Sequence, residues 1–358
     1  MIYLDHAATT PLCDAAKQTI IEHLDDFGNP SSAHELGRQA RVLIENARER
    51  IAKCINAGPD EIYFTSGGSE ANAWALYNYE TLSTDIEHHS ISPDICLKVG
   101  EHDITNPELY KHIDKWTTSM ISCMYVNNEI GAILPIKEIA EMVHESKMWF
   151  HTDAVQAVGH IPVDVKNINC DMLSASGHKF GAPKGIGFLY IKKNGPELDP
   201  LIHGGKQEQG VRGGTENVLG IISMAAALED AVQHMDERNK HIKYLRDKLL
   251  ERLLQVPGAH LNGSIENRVP GNINIRFDGV SGARLVTLCS MYGIYISSGS
   301  ACNEGIPAPS HVLKAIGLSD EEALSSVRIT IGHANTEEEI DTAANIITKL
   351  IERIRHED

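Results

Sequence analysis

Between residues 61 and 191, short apolar runs alternate with amphipathic stretches, and this alternation constrains the fold more than any other feature of the chain. The runs are Glu61–Thr65, Met120–Val126, Trp149–Thr152, Met172–Ser174 and Ile186–Ile191, and they read as buried strands. Leu36, Ala40, Leu43, Ala47, Ile51 and Ile55 recur at three- and four-residue steps, which predicts an amphipathic helix over Glu35–Ala57. Glu70–Tyr79 and Ile136–Lys147 read as further helices. Strands alternating with helices predict an α/β domain built on a mostly parallel sheet.

A long, charged helical stretch follows from Glu216 to about Val256, after which Gly258, Gly263, Pro270 and Gly271 cluster as turn residues. A domain boundary is expected there. The remainder reads strand (Asn272–Phe277), helix (Ser281–Tyr292), strand (Ile294–Ser297), helix (Pro309–Ile316), strand (Ser326–Thr330) and helix (Thr336–Arg355). Thr336 with Glu339 three residues on is a capping-box signal for that last helix. The expected division is a large α/β domain over 15–257 and a smaller α+β domain made of 1–14 and 258–358.

Thirty-two basic and 49 acidic residues give a net charge of −17. That balance argues against a sequence-independent grip on nucleic acid or on an anionic membrane, both of which need clustered Lys and Arg. The most apolar helical stretch, Gly220–Leu228, is too short for the roughly 20 residues of a membrane span. MIYLDHAATT has no basic segment followed by an apolar one, so no signal peptide is expected. Seven cysteines, at 13, 54, 96, 123, 170, 289 and 302, are scattered and form no C-x-x-C pair. That pattern fits reduced cytoplasmic thiols better than disulfides or a metal site. By default a free cysteine is a small buried hydrophobe, and Cys302 is set apart below.

The segment 174–187, SASGHKFGAPKGIG, places Lys179 just after a buried strand in a Gly/Pro-rich loop. Desolvation there would lower the amine's pKa and make it nucleophilic; Lys184, in the same loop, reads as a solvated lysine. Asp153 ends another buried strand, at the sheet edge where open α/β sheets bind ligands. SGGSEA at 66–71 puts small residues at a helix N-terminus, where unpaired N–H groups and the helix dipole suit a phosphate. A lysine for a Schiff base, an acid for a pyridine nitrogen and a phosphate cradle together fit pyridoxal 5'-phosphate. No G-x-G-x-x-G follows a strand, which disfavours a dinucleotide cofactor.

Long, ordered segments now show what the chain resembles: YLDHAATTP (3–11), FGNPSSAH (27–34), FTSGGSEAN (64–72), IEHHS (86–90), VNNEIGAILPI (126–136), FHTDAVQAVG (150–159), SASGHKFGAPKGIG (174–187), GGKQEQGVRGGTEN (204–217), SSGSACNEG (297–305) and VRITIG (327–332). The chain resembles the cysteine desulfurases, class V members of the fold-type I pyridoxal phosphate enzymes. The resemblance implies that Lys179 carries the cofactor, that Asp153 pairs with its ring nitrogen and that Gln156 contacts its phenolic oxygen. His88, rather than His89, would stack on the ring. Gly68, Ser69, Ser176, Gly177 and His178 would lie at or near the phosphate, and Thr215 would reach the phosphate of the partner subunit in a homodimer. Asn128, beside the cofactor, and Arg328 would hold the substrate carboxylate, Arg328 as a planar two-pronged donor.

Cys302 lies among Gly305, Pro307 and Pro309, on a loop before the next helix. By resemblance it attacks the sulfur of bound L-cysteine, becomes a persulfide and carries that sulfur to a protein acceptor such as an iron–sulfur scaffold, leaving L-alanine. The interval from His88 to Asn128 is shorter than the family pattern, which bears on packing near His88. A selenocysteine or cystine lyase, which needs no persulfide, is the neighbouring alternative; a non-catalytic sulfur- or cluster-binding partner on the same scaffold is the distant one.

Overall fold

The computed structural model describes residues 1–100, 104–111, 118–298 and 308–357. Cys302 lies outside the described residues. The first part of the chain runs β1 (Ile2–Tyr3), α1 (Asp14–Glu22), α2 (Glu35–Cys54), β2 (Ile62–Thr65), α3 (Gly68–Leu76), β3 (Thr81–Thr84), β4 (Ile95–Leu97), β5 (Met120–Ser122), α4 (Ile136–Glu145), β6 (Trp149–Asp153), α5 (Val165–Ile168), β7 (Met172–Ser176) and β8 (Gly187–Ile191). It continues with α6 (Val218–Gln233), α7 (Met235–Leu254), β9 (Ala259–Leu261), β10 (Asn272–Phe277), α8 (Gly282–Met291), β11 (Ile294–Tyr295), β12 (Ser297–Ser298), α9 (His311–Ala315), α10 (Asp320–Leu324), β13 (Ser326–Thr330) and α11 (Glu337–Glu357).

Seven strands form one sheet in the order β2-β8-β7-β6-β5-β3-β4. Only β8 runs against its neighbours, so the sheet is mostly parallel. Phe150, Leu173, Ala175 and Phe188 belong to an apolar cluster that also takes in Ile44, Ala47 and Ile51 of α2 and Ile221, Met224 and Leu228 of α6. This is the mostly parallel α/β architecture that the sequence predicts. A second sheet, β12-β13-β10-β9, is antiparallel throughout. Its cluster joins Leu4, Ile273, Ile275, Val327 and Ile329 to Leu285 of α8 and to Ile340, Ile347 and Ile354 of α11. Thr336 and Glu339 exchange the two expected capping hydrogen bonds at the start of α11, each 3.2 Å.

The long stretch from Glu216 divides at His234 into two helices. α6 is apolar on nearly every side and is buried in the first cluster, whereas α7 contributes Leu245, Leu249 and Leu253 to the second. The break lets one charged helix leave the first core and reach the other. Regular pairing of β5 stops at Ser122 rather than Val126. Cys123 and Tyr125 still donate to carbonyls of β6, and Val126 then bridges Ile133 where the chain doubles back. The cysteines depart from the buried default: Cys123, Cys170 and Cys289 are buried, Cys13 and Cys54 are half-buried, and Cys96 is exposed.

Candidate active site

β6 and β7 lie side by side and end at Asp153 and Ser176, so their carboxyl ends deliver both residues to one edge of the sheet. A single tight turn after β7 holds Gly177, His178 and Lys179. The Lys179 Nζ donates to the Ala7 and Ala8 carbonyls at 2.6 and 2.9 Å. Burial, reinforced by the Arg328 cation and opposed by Asp153 and Asp5, pulls this amine from its ordinary 10.5 to about 8. Lys184, five residues on, is exposed.

Asp153 is buried, and each of its oxygens accepts a hydrogen bond: Oδ2 from Asn72 Nδ2 at 2.7 Å, Oδ1 from the Val155 N–H at 2.9 Å. Both contacts suit the ionised carboxylate. Above it α3 begins at Gly67–Gly68, and no side chain among the described residues caps its first turn. Gly67, at φ 156° and ψ −176°, takes a backbone conformation that residues with a Cβ rarely adopt. At Gly68 a Cβ would come within 2.5 Å of Val155 Cγ2 and 3.4 Å of Ser176 Cβ. The two glycines thus let the helix end press against β6 and β7 with its first N–H groups open, beside exposed Ser69 and buried Ser176.

His178 Nδ1 meets Thr9 Oγ1 at 3.1 Å, and burial with two nearby lysines lowers this imidazole to about 4. It is neutral at pH 7. Gln156 Nε2 donates to the Ala7 carbonyl, the same oxygen that Lys179 uses, at 3.0 Å. The first residues of the chain therefore form one wall of the site.

Arg328, from β13 of the second sheet, reaches across to that wall. Its Nη2 donates to Asp5 Oδ1 at 3.0 Å and its Nη1 to the Asn128 carbonyl at 2.9 Å. Its Nε is buried with no hydrogen-bond partner among the described residues. A guanidinium oriented by two partners and left with one buried donor is suited to an incoming carboxylate. His88 Nδ1 lies 2.7 Å from Ser90 Oγ and accepts from the Ser90 N–H at 3.1 Å, and the ring is partly desolvated. The neighbouring His89 faces away into a ring contact with His311, centroids 4.5 Å apart.

Thr215 is exposed. The loop leading to it is fixed from below by the buried Arg48–Glu208 pair, at 2.9 and 2.8 Å, and by Arg212 on Glu70 of α3. The pair also restrains left-handed backbone at Glu208 and Gln209, a conformation that costs about 1–3 kcal/mol per residue.

Several residues that organise the site were not singled out from sequence. Asn72 and Asp5 are two. Asn127 is a third: its Oδ1 accepts the Glu129 and Ile130 N–H groups and its Nδ2 donates to the Ile86 carbonyl, tying the Asn128 loop to the His88 segment. Buried Glu129, raised to about 7 by desolvation, accepts from Ser310 Oγ. All but Ser310 lie inside the motif segments, so the signal was their place in those runs; the partner of each is set by the fold.

The groups gathered here fit pyridoxal 5'-phosphate. A partly desolvated amine of lowered pKa suits its aldehyde, a hydrogen-bonded carboxylate its pyridine nitrogen, and the open α3 N-terminus its phosphate. Comparison with known proteins agrees. The family model described as aminotransferase class-V matches residues 2–342. A protein named cysteine desulfurase IscS from Methanosarcina thermophila is 40% identical over 376 aligned positions, covering 99% of this chain and 93% of its own. Among solved structures, a NifS-like protein from Rickettsia africae superimposes with a TM-score of 0.90 at 33% identity, covering 99% of each chain. One described as SspA in complex with cysteine does so with a TM-score of 0.80, again at 33% identity, over 94% of this chain and 100% of that one. The chain belongs to the class-V aminotransferase family, and within it to the group of the cysteine desulfurases.

Proposed function

We propose that this pyridoxal phosphate enzyme removes the sulfur of L-cysteine, releases L-alanine and holds the sulfur as a persulfide on Cys302 for a protein acceptor. The observation that carries the reading is the half-buried Lys179 amine, lowered to about 8 chiefly by desolvation, on the sheet edge that also presents buried Asp153 and the open end of α3. When bound, pyridoxal phosphate supplies an electron sink for negative charge developing at the substrate Cα.

The residues divide the remaining work. Lys179 attaches the cofactor and, as a neutral amine, moves the proton at Cα. Asp153 keeps a proton on the pyridine nitrogen, held for this by Asn72 and the Val155 N–H. Gly68, Ser69, Ser176, Gly177 and His178 would hold the phosphate, Gln156 would meet the phenolic oxygen and His88 would cover the ring face. Arg328 and Asn128 would bind the substrate carboxylate; the Arg328 Nε, buried without a partner among the described residues, supports this. The Cys302 thiolate then attacks the substrate Sγ: a sulfur–sulfur bond forms and the Cβ–Sγ bond breaks. The electron pair of that bond stays with carbon, which takes a proton to become the methyl group of alanine. No external oxidant is needed.

We further propose a homodimer in which Thr215 of each subunit reaches the other's phosphate site. Ile21 in the last turn of α1 and Leu24 and Phe27 just after it are 63, 60 and 82% exposed, an apolar surface that pairing of subunits would cover. The proposed division is 15–257 and 1–14 with 258–358; the two apolar clusters support two units, with α7 packing on the second cluster and Val312 and Leu313 of α9 on the first. Among the described residues no helix is long and apolar enough to cross a membrane. We propose a cytoplasmic protein whose persulfide feeds iron–sulfur cluster assembly. The test is incubation of the protein with pyridoxal phosphate and L-cysteine. Alanine and sulfane sulfur in equal amounts support the reading; pyruvate and ammonia, or no turnover, contradict it.

A further inference from the structure

Asn72, on α3, is buried, yet its amide joins two parts of the site that are far apart in sequence. One Nδ2 hydrogen goes to Asp153 Oδ2 at 2.7 Å, and the other to Ser90 Oγ at 2.9 Å. Ser90 Oγ lies 2.7 Å from His88 Nδ1, and the Ser90 N–H donates to that same nitrogen at 3.1 Å. The line Asp153–Asn72–Ser90–His88 is continuous. Its polarity is set from one end: an ionised Asp153 only accepts, so the amide must turn its NH₂ toward it. Asn72 Oδ1 is thereby left buried without a partner among the described residues, a cost that a flipped amide would exchange for carbonyl–carboxylate repulsion. With one lone pair of Ser90 Oγ taken by Asn72, the hydroxyl hydrogen is directed at His88 Nδ1. The backbone N–H of Ser90 cannot turn away from that nitrogen at all.

We propose that Asn72 and Ser90 are positioning residues that hold His88 as the neutral tautomer protonated at Nε2 and fix its ring relative to Asp153. Two donors converge on Nδ1, so a proton there would face an N–H and displace the serine hydroxyl. Nε2–H is left as the end of the ring free to meet substrate or cofactor. Partial desolvation and the charged groups around this imidazole act as a background: desolvation opposes its protonation most, Asp153 favours it, and Lys179, His89 and His311 oppose it. The Asn72–Ser90 line adds a directional bias that those charges do not supply, because it chooses between the two ring nitrogens.

The inference rests on the reading that Asp153 and His88 serve the cofactor ring, and the test separates the two. The protonation midpoint of His88 is measured on the full chain, with and without pyridoxal phosphate, from the pH dependence of diethyl pyrocarbonate modification mapped to that residue. The acid limb of kcat/KM is followed in parallel. Ser90→Ala removes the hydroxyl donor and leaves the backbone donor, so the midpoint should rise by about half to one pH unit, a roughly three- to tenfold change. Cofactor affinity should change less than about twofold, since one hydrogen bond remote from the cofactor is lost. Ser90→Thr keeps the hydroxyl and should restore the wild-type midpoint. Asn72→Leu should raise the midpoint and also weaken cofactor binding, because it strips Asp153 of a donor. An unmoved midpoint in folded Ser90→Ala overturns the proposal, as does a shift that Ser90→Thr fails to reverse. Absence of cofactor binding by the wild-type chain would instead overturn the functional reading; the midpoint on the cofactor-free chain still decides the relay.

Discussion

Replacing Arg328 with Gln should slow the attachment of pyridoxal phosphate to Lys179, although the two side chains come from different sheets. Lys179 sits at about 8 because its amine is partly desolvated and because the Arg328 cation opposes a second positive charge nearby. An amine of pKa 8 is about 9% neutral at pH 7, and one of 10.5 about 0.03%, so the site multiplies the reactive form by roughly 300. Only the neutral amine attacks an aldehyde, so attachment should rise with pH through a midpoint near 8 and level off above it. Arg328→Gln removes the repulsion while leaving the burial. The midpoint should then move upward, with slower attachment at pH 7 and the same plateau above both midpoints. The assay is stopped-flow absorbance after mixing cofactor-free protein with pyridoxal phosphate across pH 6–11, with borohydride trapping and peptide mapping to confirm Lys179. A wild-type midpoint of 10 or above would refute the reasoning. So would trapping on Lys184, or a midpoint that Arg328→Gln leaves in place.

Asp153→Ala should cost on the order of 3–5 kcal/mol of cofactor binding, as expected for breaking a buried charge pair, and nearly all turnover; equilibrium dialysis and alanine assays measure both. Cys123→Ser puts a hydroxyl in a fully buried position, so thermal unfolding should show about 1–3 kcal/mol of lost stability with the chemistry intact. Phe27→Glu places a charge on the exposed apolar surface between α1 and α2, and sedimentation should show a shift from dimer toward monomer.

The central strands β6, β7 and β8 and the helices α2, α4 and α11 were legible in the sequence because each is long or strongly periodic and bounded by turn residues. β3, Thr-Leu-Ser-Thr, was not legible. It is a buried strand built of polar side chains, and its place in the sheet comes from pairing with β4 and β5 rather than from its own pattern. α1 was missed as well: only Ala16 of its nine residues is buried, and its N-cap is Cys13, an uncommon capping residue. Nothing local marks the end of α6 at His234 except the change from an apolar to a charged helix. For the site, its place directly after a buried strand separated Lys179 from Lys184 in the same Gly/Pro-rich loop, and it was Asp153, the SGGSEA turn and the family resemblance together that made it the cofactor candidate. The Asp5–Arg328–Asn128 arrangement was not, because it joins residues 323 and 200 positions apart. A long-range polar contact of this kind exists only once both sheets have formed.

The most direct measurement of the central claim compares wild type with Cys302→Ser in the presence of L-cysteine, following cofactor absorbance, alanine and protein-bound sulfane sulfur together. A serine hydroxyl is almost un-ionised near neutral pH and cannot replace the thiolate at sulfur, whereas substrate binding and proton movement at Cα use no thiol. The variant should therefore bind pyridoxal phosphate and shift its absorbance when cysteine is added, yet form little alanine and no persulfide. Alanine from Cys302→Ser at the wild-type rate would contradict persulfide transfer through Cys302 and leave a lyase as the better account.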